Sequence, residues 1–148
     1  MHATLPIVLG AGAGFLLAVL WFDLMFDVQA RRLEAPDGDA RLASIADYYR
    51  RVTIEAFPAN RLVATVMVVT IVGSFVQLWR TPSLAALASV ALVVAPVGLA
   101  GRRVVPNAMR LGTRRDDLAT QRTLARTILW DHVACFASVA AFLALQLW

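Results

Sequence analysis

The sequence predicts an all-α integral membrane protein: a four-helix bundle with an amphipathic helix in its first cytoplasmic loop. Of the 148 residues, 59% are hydrophobic and 16% are charged, whereas a typical soluble domain is about 45–50% apolar and about 25% charged. Four apolar runs are each long enough to cross a bilayer as a helix. All fourteen basic residues are arginine, and they lie between these runs or at their ends. The length suits a single domain, residues 1–148.

The predicted membrane spans cover residues 5–26, 60–79, 83–100 and 128–148. The first span has no charged residue before Asp23. Pro58 precedes the second span and Ser83 opens the third, as is typical of helix starts. We expect Pro96 to bend or end the third span, because proline lacks the N–H that an inner helical position needs.

The arginines predict how the spans are oriented. The loop 27–60 holds five arginines and the loop 101–127 holds seven, whereas the link between the second and third spans holds only Arg80. Basic residues mark the cytoplasmic side, so both long loops should be cytoplasmic and both termini extracytoplasmic, as in a multi-pass protein of the cell inner membrane. Trp79 and Trp148 then lie near the outer boundary. No soluble basic domain is left over, which argues against a nucleic-acid partner.

Both long loops carry helix signals. Residues 39–57 place apolar side chains three and four apart, which is typical of one helix face; these are Leu42, Ile45, Ala46, Tyr49, Ile54 and Phe57. We expect this helix to start at Asp37-Gly38-Asp39 and to lie on the inner membrane surface or on the base of the bundle. In the other loop, Thr113 with Asp116 is predicted to cap a cytoplasmic extension of the fourth helix.

Polar residues at the cytoplasmic ends of the spans are the candidate site, because ionisable groups inside a membrane are costly unless they are paired or hydrated. Asp23 and Asp27 are one helical turn apart and share a face. Asp131 and His132 open the fourth span and are the candidate catalytic residues. The topology predicts one layer for the whole set: Asp23, Asp27, Asn60, Arg61, Arg102, Asp131 and His132. Alternatively, the aspartates pair with Arg61, Arg102 or Arg126 and only hold the bundle together. The rotation of each helix about its axis decides between a polar site and purely structural ion pairs.

The residue types of this layer suit proton transfer and, as a weaker signal, a metal ion held by Asp23, Asp27, Asp131 and His132. A histidine oriented by an aspartate can act as a general acid or base near neutral pH, although a packed histidine is the alternative. Adjacent helical residues point about 100° apart, so Asp131 and His132 do not suit one metal centre, and no metal or cofactor is assigned. Cys135 is expected to be a packed thiol. Being the single cysteine, it excludes an internal disulfide.

Two further patterns predict contacts. Gly10 and Gly14 have the spacing that lets helices approach closely, either within the chain or in a homo-oligomer. Tyr48 and Tyr49, followed by Arg50 and Arg51, are expected to meet lipid headgroups or an anionic ligand, or simply to form an interfacial face.

The order of spans, loops and short motifs resembles that of a family of small four-span membrane proteins of uncharacterised function, which includes anthrone-oxygenase-like members. The resemblance rests on the glycine-rich first span, Asn60-Arg61, Pro106-Asn107 and the arginine-rich approach to Trp130-Asp131-His132. It implies an oxygenase-like activity in the membrane. From the residues alone, we expect a multi-pass membrane protein that serves as a scaffold or subunit in the lipid bilayer. The alternatives are a membrane-embedded enzyme acting on a lipophilic small molecule and a small oligomeric transporter.

Overall fold

The computed structural model of the protein describes residues 4–147, which are helical throughout apart from short turns and contain no strand. This confirms the all-helical prediction. The α-helices, in chain order, are α1 (Thr4–Asp27), α2 (Gly38–Tyr49), α3 (Ala59–Arg80), α4 (Leu84–Leu99), α5 (Val105–Thr113) and α6 (Leu118–Gln146). A 3-10 turn, Val28–Arg32, follows α1, and π turns follow α2 (Arg50–Glu55) and α4 (Ala100–Val104).

Within residues 4–147, four helical rods are long and apolar enough to cross a membrane: Thr4–Arg32, Asn60–Arg80, Leu84–Thr113 and Leu118–Gln146. Each overlaps one of the four predicted spans, and the first, third and fourth rods extend beyond them towards the end of the bundle where α2 packs. Trp148, the last residue of the fourth span, lies outside the described residues. In the bundle, α1 packs on α3 and α6, and α4 packs on the same two helices. One apolar core lies inside this ring and consists of Leu9, Ala13, Leu16, Val93, Val139 and Phe142.

A second core closes one end of the bundle, where α2 packs against α5 and α6. The apolar face predicted for this loop is buried at Leu42, Ile45, Ala46 and Tyr49. The prediction is wrong for Ile54 and Phe57, which lie beyond the end of α2 and are exposed. The helix therefore lies on the base of the bundle, one of the two positions that we predicted. The side chain of Asp37 makes no cap hydrogen bond and pairs instead with Arg41 at 2.6 Å.

The third rod does not end at Pro96, an end there being one of the two outcomes that we expected; it continues through the Ala100–Val104 turn to Thr113. Because proline has no N–H, the carbonyl of Leu92 loses its usual helical donor. Ser138 of α6 donates its hydroxyl to that carbonyl at 2.9 Å. A neighbouring helix thus supplies the missing hydrogen bond, as is common for prolines in membrane helices.

The predicted cap at Thr113 is wrong. Thr113 is the last residue of α5, and Arg114 after it adopts the left-handed conformation with φ 51°. Asp117 is the cap of α6, accepting a hydrogen bond from the Thr120 amide at 2.8 Å. The fourth helix nevertheless begins well before residue 128, as predicted, and carries His132 on a long continuous rod.

The close approach of α1 within the chain occurs at Gly12 rather than at Gly10 or Gly14. A Cβ on Gly12 would lie 2.6 Å from the Thr70 hydroxyl oxygen of α3, whereas a Cβ on Gly14 would meet no atom within 4 Å. The homo-oligomer through Gly10 and Gly14 stays a prediction.

Candidate functional site

Asp23, Asp27 and His132 converge where α1 meets the first half of α6. Nδ1 of His132 lies 2.6 Å from Oδ2 of Asp27, and Nε2 lies 3.8 Å from Oδ2 of Asp23. Asp27 is fully buried and His132 is 5% exposed. The sequence predicted one depth for these residues, and the rotation of the two helices makes them face one another.

Two consecutive tyrosines of α2 complete the cluster. The hydroxyl of Tyr49 donates to Oδ1 of Asp27 at 2.5 Å, and the hydroxyl of Tyr48 donates to Oδ1 of Asp23 at 2.6 Å. The Tyr48 ring also stacks on Phe26 with 4.1 Å between ring centroids. Each aspartate therefore accepts from one tyrosine, and Asp27 bridges Tyr49 to His132.

The hydrogen-bond network assigns the proton on His132. Oδ1 of Asp27 already accepts from Tyr49, and an ionised carboxylate accepts at both oxygens. We therefore place the shared proton on Nδ1 of His132, which donates to Oδ2 of Asp27. In its neutral form, the imidazole then presents the lone pair of Nε2, the nitrogen on the Asp23 side of the ring. This is how an aspartate orients a histidine for proton transfer.

Both tyrosines are held in the protonated, donating form. Burial raises the pKa of Tyr49 well above its ordinary value, and the nearby carboxylates of Asp27 and Asp23 raise it further. The pKa of Tyr48 is raised by burial and then by Asp23.

We expect neither tyrosine to ionise near pH 10 while the protein is folded. The chain has only two tyrosines, so tyrosinate absorbance reports on this cluster alone. It has no lysine, whose titration would overlap with that of tyrosine. Since the folded pKa values are raised, the stability linked to the phenols is complete below about pH 10 and falls as the pH rises above that value. Tyrosinate absorbance should therefore rise together with the loss of helical circular dichroism.

A synthetic peptide of residues 38–55 is the control and should titrate near pH 10. The Tyr49→Phe variant should lose stability less steeply with alkaline pH than the unmodified protein. Tyrosinate formation near pH 10 in the folded protein would show that the phenols are not held as the structure indicates.

Two adjoining cavities meet at this cluster. The inner cavity, of about 150 Å³, lies among the apolar side chains of α1, α3, α4 and α6. The outer cavity, of about 600 Å³, lies between α1, the start of α3, the Arg50–Glu55 turn and α5. The two share six lining residues: Val19, Asp23, Val63, Val104, Val105 and His132. His132 and Asp23 are thus the polar groups at the junction of the two cavities.

The other predicted site residues fall into separate places. Asn60 and Arg61 line the outer cavity. Arg102 is exposed and lines neither cavity, whereas its neighbour Arg103 pairs with Asp131 at 3.1 Å. Asp131 is buried on another side of α6 and lines neither cavity. The candidate catalytic pair is therefore split, with only His132 facing the cavities.

The alternative ion pairs predicted for the two aspartates of α1 are not observed. Within residues 4–147, Asp23 and Asp27 have tyrosine and histidine partners, and Arg126 pairs with Glu34 at 2.6 Å instead. The sequence reasoning missed the role of the tyrosines as donors to these aspartates. A signal was present, because Tyr49 lies on the apolar face of α2 and a buried phenol needs a hydrogen-bond partner.

No set of three histidine, cysteine, aspartate or glutamate side chains in residues 4–147 is arranged to hold a metal ion. Cys135 is buried, lines the inner cavity and donates its thiol to the carbonyl of Pro96 at 3.7 Å. It is a packed thiol, as predicted. What the arrangement offers chemically is one oriented imidazole beside an apolar cavity.

No protein-family model, no curated protein and no solved structure matches this chain. The geometry of the cluster and its cavities must therefore carry the functional argument.

Proposed function

We propose that the chain is a multi-pass protein of the cell inner membrane with the α2 end of the bundle in the cytoplasm and both termini outside. The support is the apolar surface of the rods: Ile7 is 69% exposed, Val68 is 59% exposed and Leu84 is 86% exposed. Surfaces of this kind need lipid or a partner. A reporter that is active only in the cytoplasm should be inactive when fused to the C-terminus and active when inserted after Arg115.

We propose further that the protein is a membrane-embedded enzyme that uses His132 as a general base on a lipophilic small molecule. One observation carries this proposal: the imidazole is fixed through Nδ1 by a buried carboxylate, while the residue lines both cavities. A histidine whose only role is packing would be enclosed by other side chains and would not line a cavity. General-base catalysis of this kind contributes about 10²–10⁴-fold to a rate.

The cavities support a lipophilic substrate. Thirteen of the fifteen residues around the inner cavity are apolar or a packed thiol, the exceptions being Asp23 and His132. An apolar cavity of about 150 Å³ is large enough to hold a benzene ring, and the outer cavity is within the usual range of about 300–1,000 Å³ for ligand sites. A planar or short-chain apolar group can therefore lie against the imidazole.

The chemistry that we propose is removal of a proton from a weakly acidic C–H or O–H group. Nε2 of His132 takes the proton, the electron pair stays on the substrate, and Asp27 stabilises the resulting imidazolium. Such a carbanion or phenolate is the species from which an oxygenase-like reaction with dioxygen would start. The oxygenase activity implied by the family resemblance stays a prediction.

The test uses anthrone, a lipophilic carbon acid, with the detergent-solubilised protein in D₂O under anaerobic conditions. We expect the protein to accelerate deuterium incorporation at the acidic methylene. His132→Asn retains an N–H that can bond to Asp27 but lacks Nε2, so exchange should return to the background rate. Thr123→Ala, at an exposed position of the same helix that lines neither cavity, is the matched control and should exchange like the unmodified protein. Oxygen uptake in air would then test the oxygenase prediction.

Two results would contradict the proposal: full exchange activity in folded His132→Asn protein, or anthrone binding without any exchange. A loss of folded protein in His132→Asn, with no exchange in the unmodified chain, would favour a structural cluster in a scaffold or subunit. That function and the transporter alternative stay predictions.

A further inference from the structure

The geometry points to an amphipathic anion as the ligand, with its apolar end in the inner cavity and its acidic group at Arg61. This inference rests on the proposed function in one respect, namely that the two cavities form the substrate site. It adds the substrate class: a molecule with an apolar body and a carboxylate or phosphate at one end.

The outer cavity is the more polar of the two. The inner cavity is lined by Leu16, Val93 and Val139, which all belong to the apolar core of the ring. The outer cavity adds polar side chains from the other end: Thr53, Asn60 and Arg61. A ligand that spans both cavities therefore has apolar side chains around its inner end, His132 beside its middle and polar side chains at its outer end.

Arg61 is the cation that marks the polar end. It is the only arginine among the described residues that line the outer cavity, and its guanidinium carbon lies 4.6 Å from the centre of the Phe57 ring. In residues 4–147 no carboxylate pairs with it, although Arg103, Arg110 and Arg126 all have acidic partners. The aromatic contact covers one face of the guanidinium and leaves its N–H edge available to a planar oxyanion.

The arrangement of charges also sets the direction of the ligand. In the part of the chain that the structure describes, Asp23 is the only acidic residue that lines either cavity, and it lies at the junction with His132. An anionic group placed there would be repelled by the carboxylate, whereas the same group at Arg61 is attracted. The acidic end should therefore lie at the α3 end of the outer cavity, leaving the apolar part beside the imidazole.

The experiment compares 8-phenyloctanoate with 8-phenyloctan-1-ol, which share an apolar body and differ in charge. Binding is measured calorimetrically to the full chain in phosphatidylcholine nanodiscs, with empty nanodiscs as the partition control. We expect the acid to bind about tenfold more tightly than the alcohol. Arg61→Gln should remove this preference and leave alcohol binding unchanged. Arg102→Gln, an exposed arginine outside both cavities, should change neither.

Equal binding of acid and alcohol to the unmodified protein would overturn the inference, as would equal losses in the two arginine variants. Phosphatidylglycerol nanodiscs identify the source of the anion: the preference disappears there if a bilayer headgroup occupies Arg61, and persists if a free amphiphile does. Acid binding and proton exchange, measured on the same variants, separate the two proposals. Arg61-dependent acid binding without proton exchange in any variant supports the ligand class and contradicts the enzyme, whereas exchange without an acid preference does the reverse.

Discussion

Asp27→Asn protein is expected to fold normally and to lose about 10²–10⁴-fold in proton-transfer rate, which is the contribution of a general base. The asparagine Oδ1 can still accept from Tyr49, but its amide would donate to Nδ1 of His132, which then carries no proton. The proton moves to Nε2, and the imidazole becomes the wrong tautomer for a base; a comparable aspartate-to-asparagine change in a catalytic triad costs about 10⁴-fold. The anthrone exchange rate, measured beside the thermal unfolding of the same sample, checks this.

Asp27→Ala should behave differently, because it removes the acceptor for both Tyr49 and His132. Leaving a buried neutral donor without its acceptor costs about 1–3 kcal/mol of unfolding free energy for each donor. Asp39→Ala is the matched control: Asp39 pairs with Arg122 at 2.9 Å but its side chain is 69% exposed, and exposed pairs contribute at most about 1 kcal/mol. Full exchange activity in Asp27→Asn, or equal stability of the two alanine variants, would show that Asp27 does not organise the cluster.

Gly112→Ala is expected to lower the free energy of unfolding by about 1–3 kcal/mol. A Cβ at Gly112 would lie 2.8 Å from the backbone nitrogen of Arg50 and 3.0 Å from its Cα. Backbone atoms cannot rotate away, so α5 and the end of α2 must separate. Because Tyr49 directly precedes Arg50, we also expect the hydrogen bond from Tyr49 to Asp27 to weaken. The pKa of Tyr49 should then fall towards the ordinary value near 10.

Gly98→Ala is the control for this prediction, because Gly98 lies in the same rod and a Cβ there meets no atom within 4 Å. Alanine is the better helix former, so Gly98→Ala should be neutral or slightly stabilising. Denaturant unfolding in detergent and the tyrosinate titration provide the two measurements. Equal stability of the two variants would mean that α2 is not held against α5 by close backbone contact.

The local pattern of the sequence was enough to predict the four rods, the amphipathic face of α2 and the shared face of Asp23 and Asp27. Each of these depends on periodicity or length within a single segment. The apolar runs are as long as a bilayer is thick, and Asp23 and Asp27 share a face because a helix repeats every 3.6 residues. The buried face of α2 follows from the three- and four-residue spacing that runs from Leu42 to Tyr49.

Only the tertiary structure decided which side chains meet. It turned His132 towards Asp27 and Asp131 towards Arg103, brought Tyr48 and Tyr49 to the two aspartates, and placed Ser138 against the carbonyl freed by Pro96. These pairings depend on how each helix is rotated about its own axis and on which helices are neighbours. Both are determined by packing between segments far apart in the chain, which no local spacing encodes.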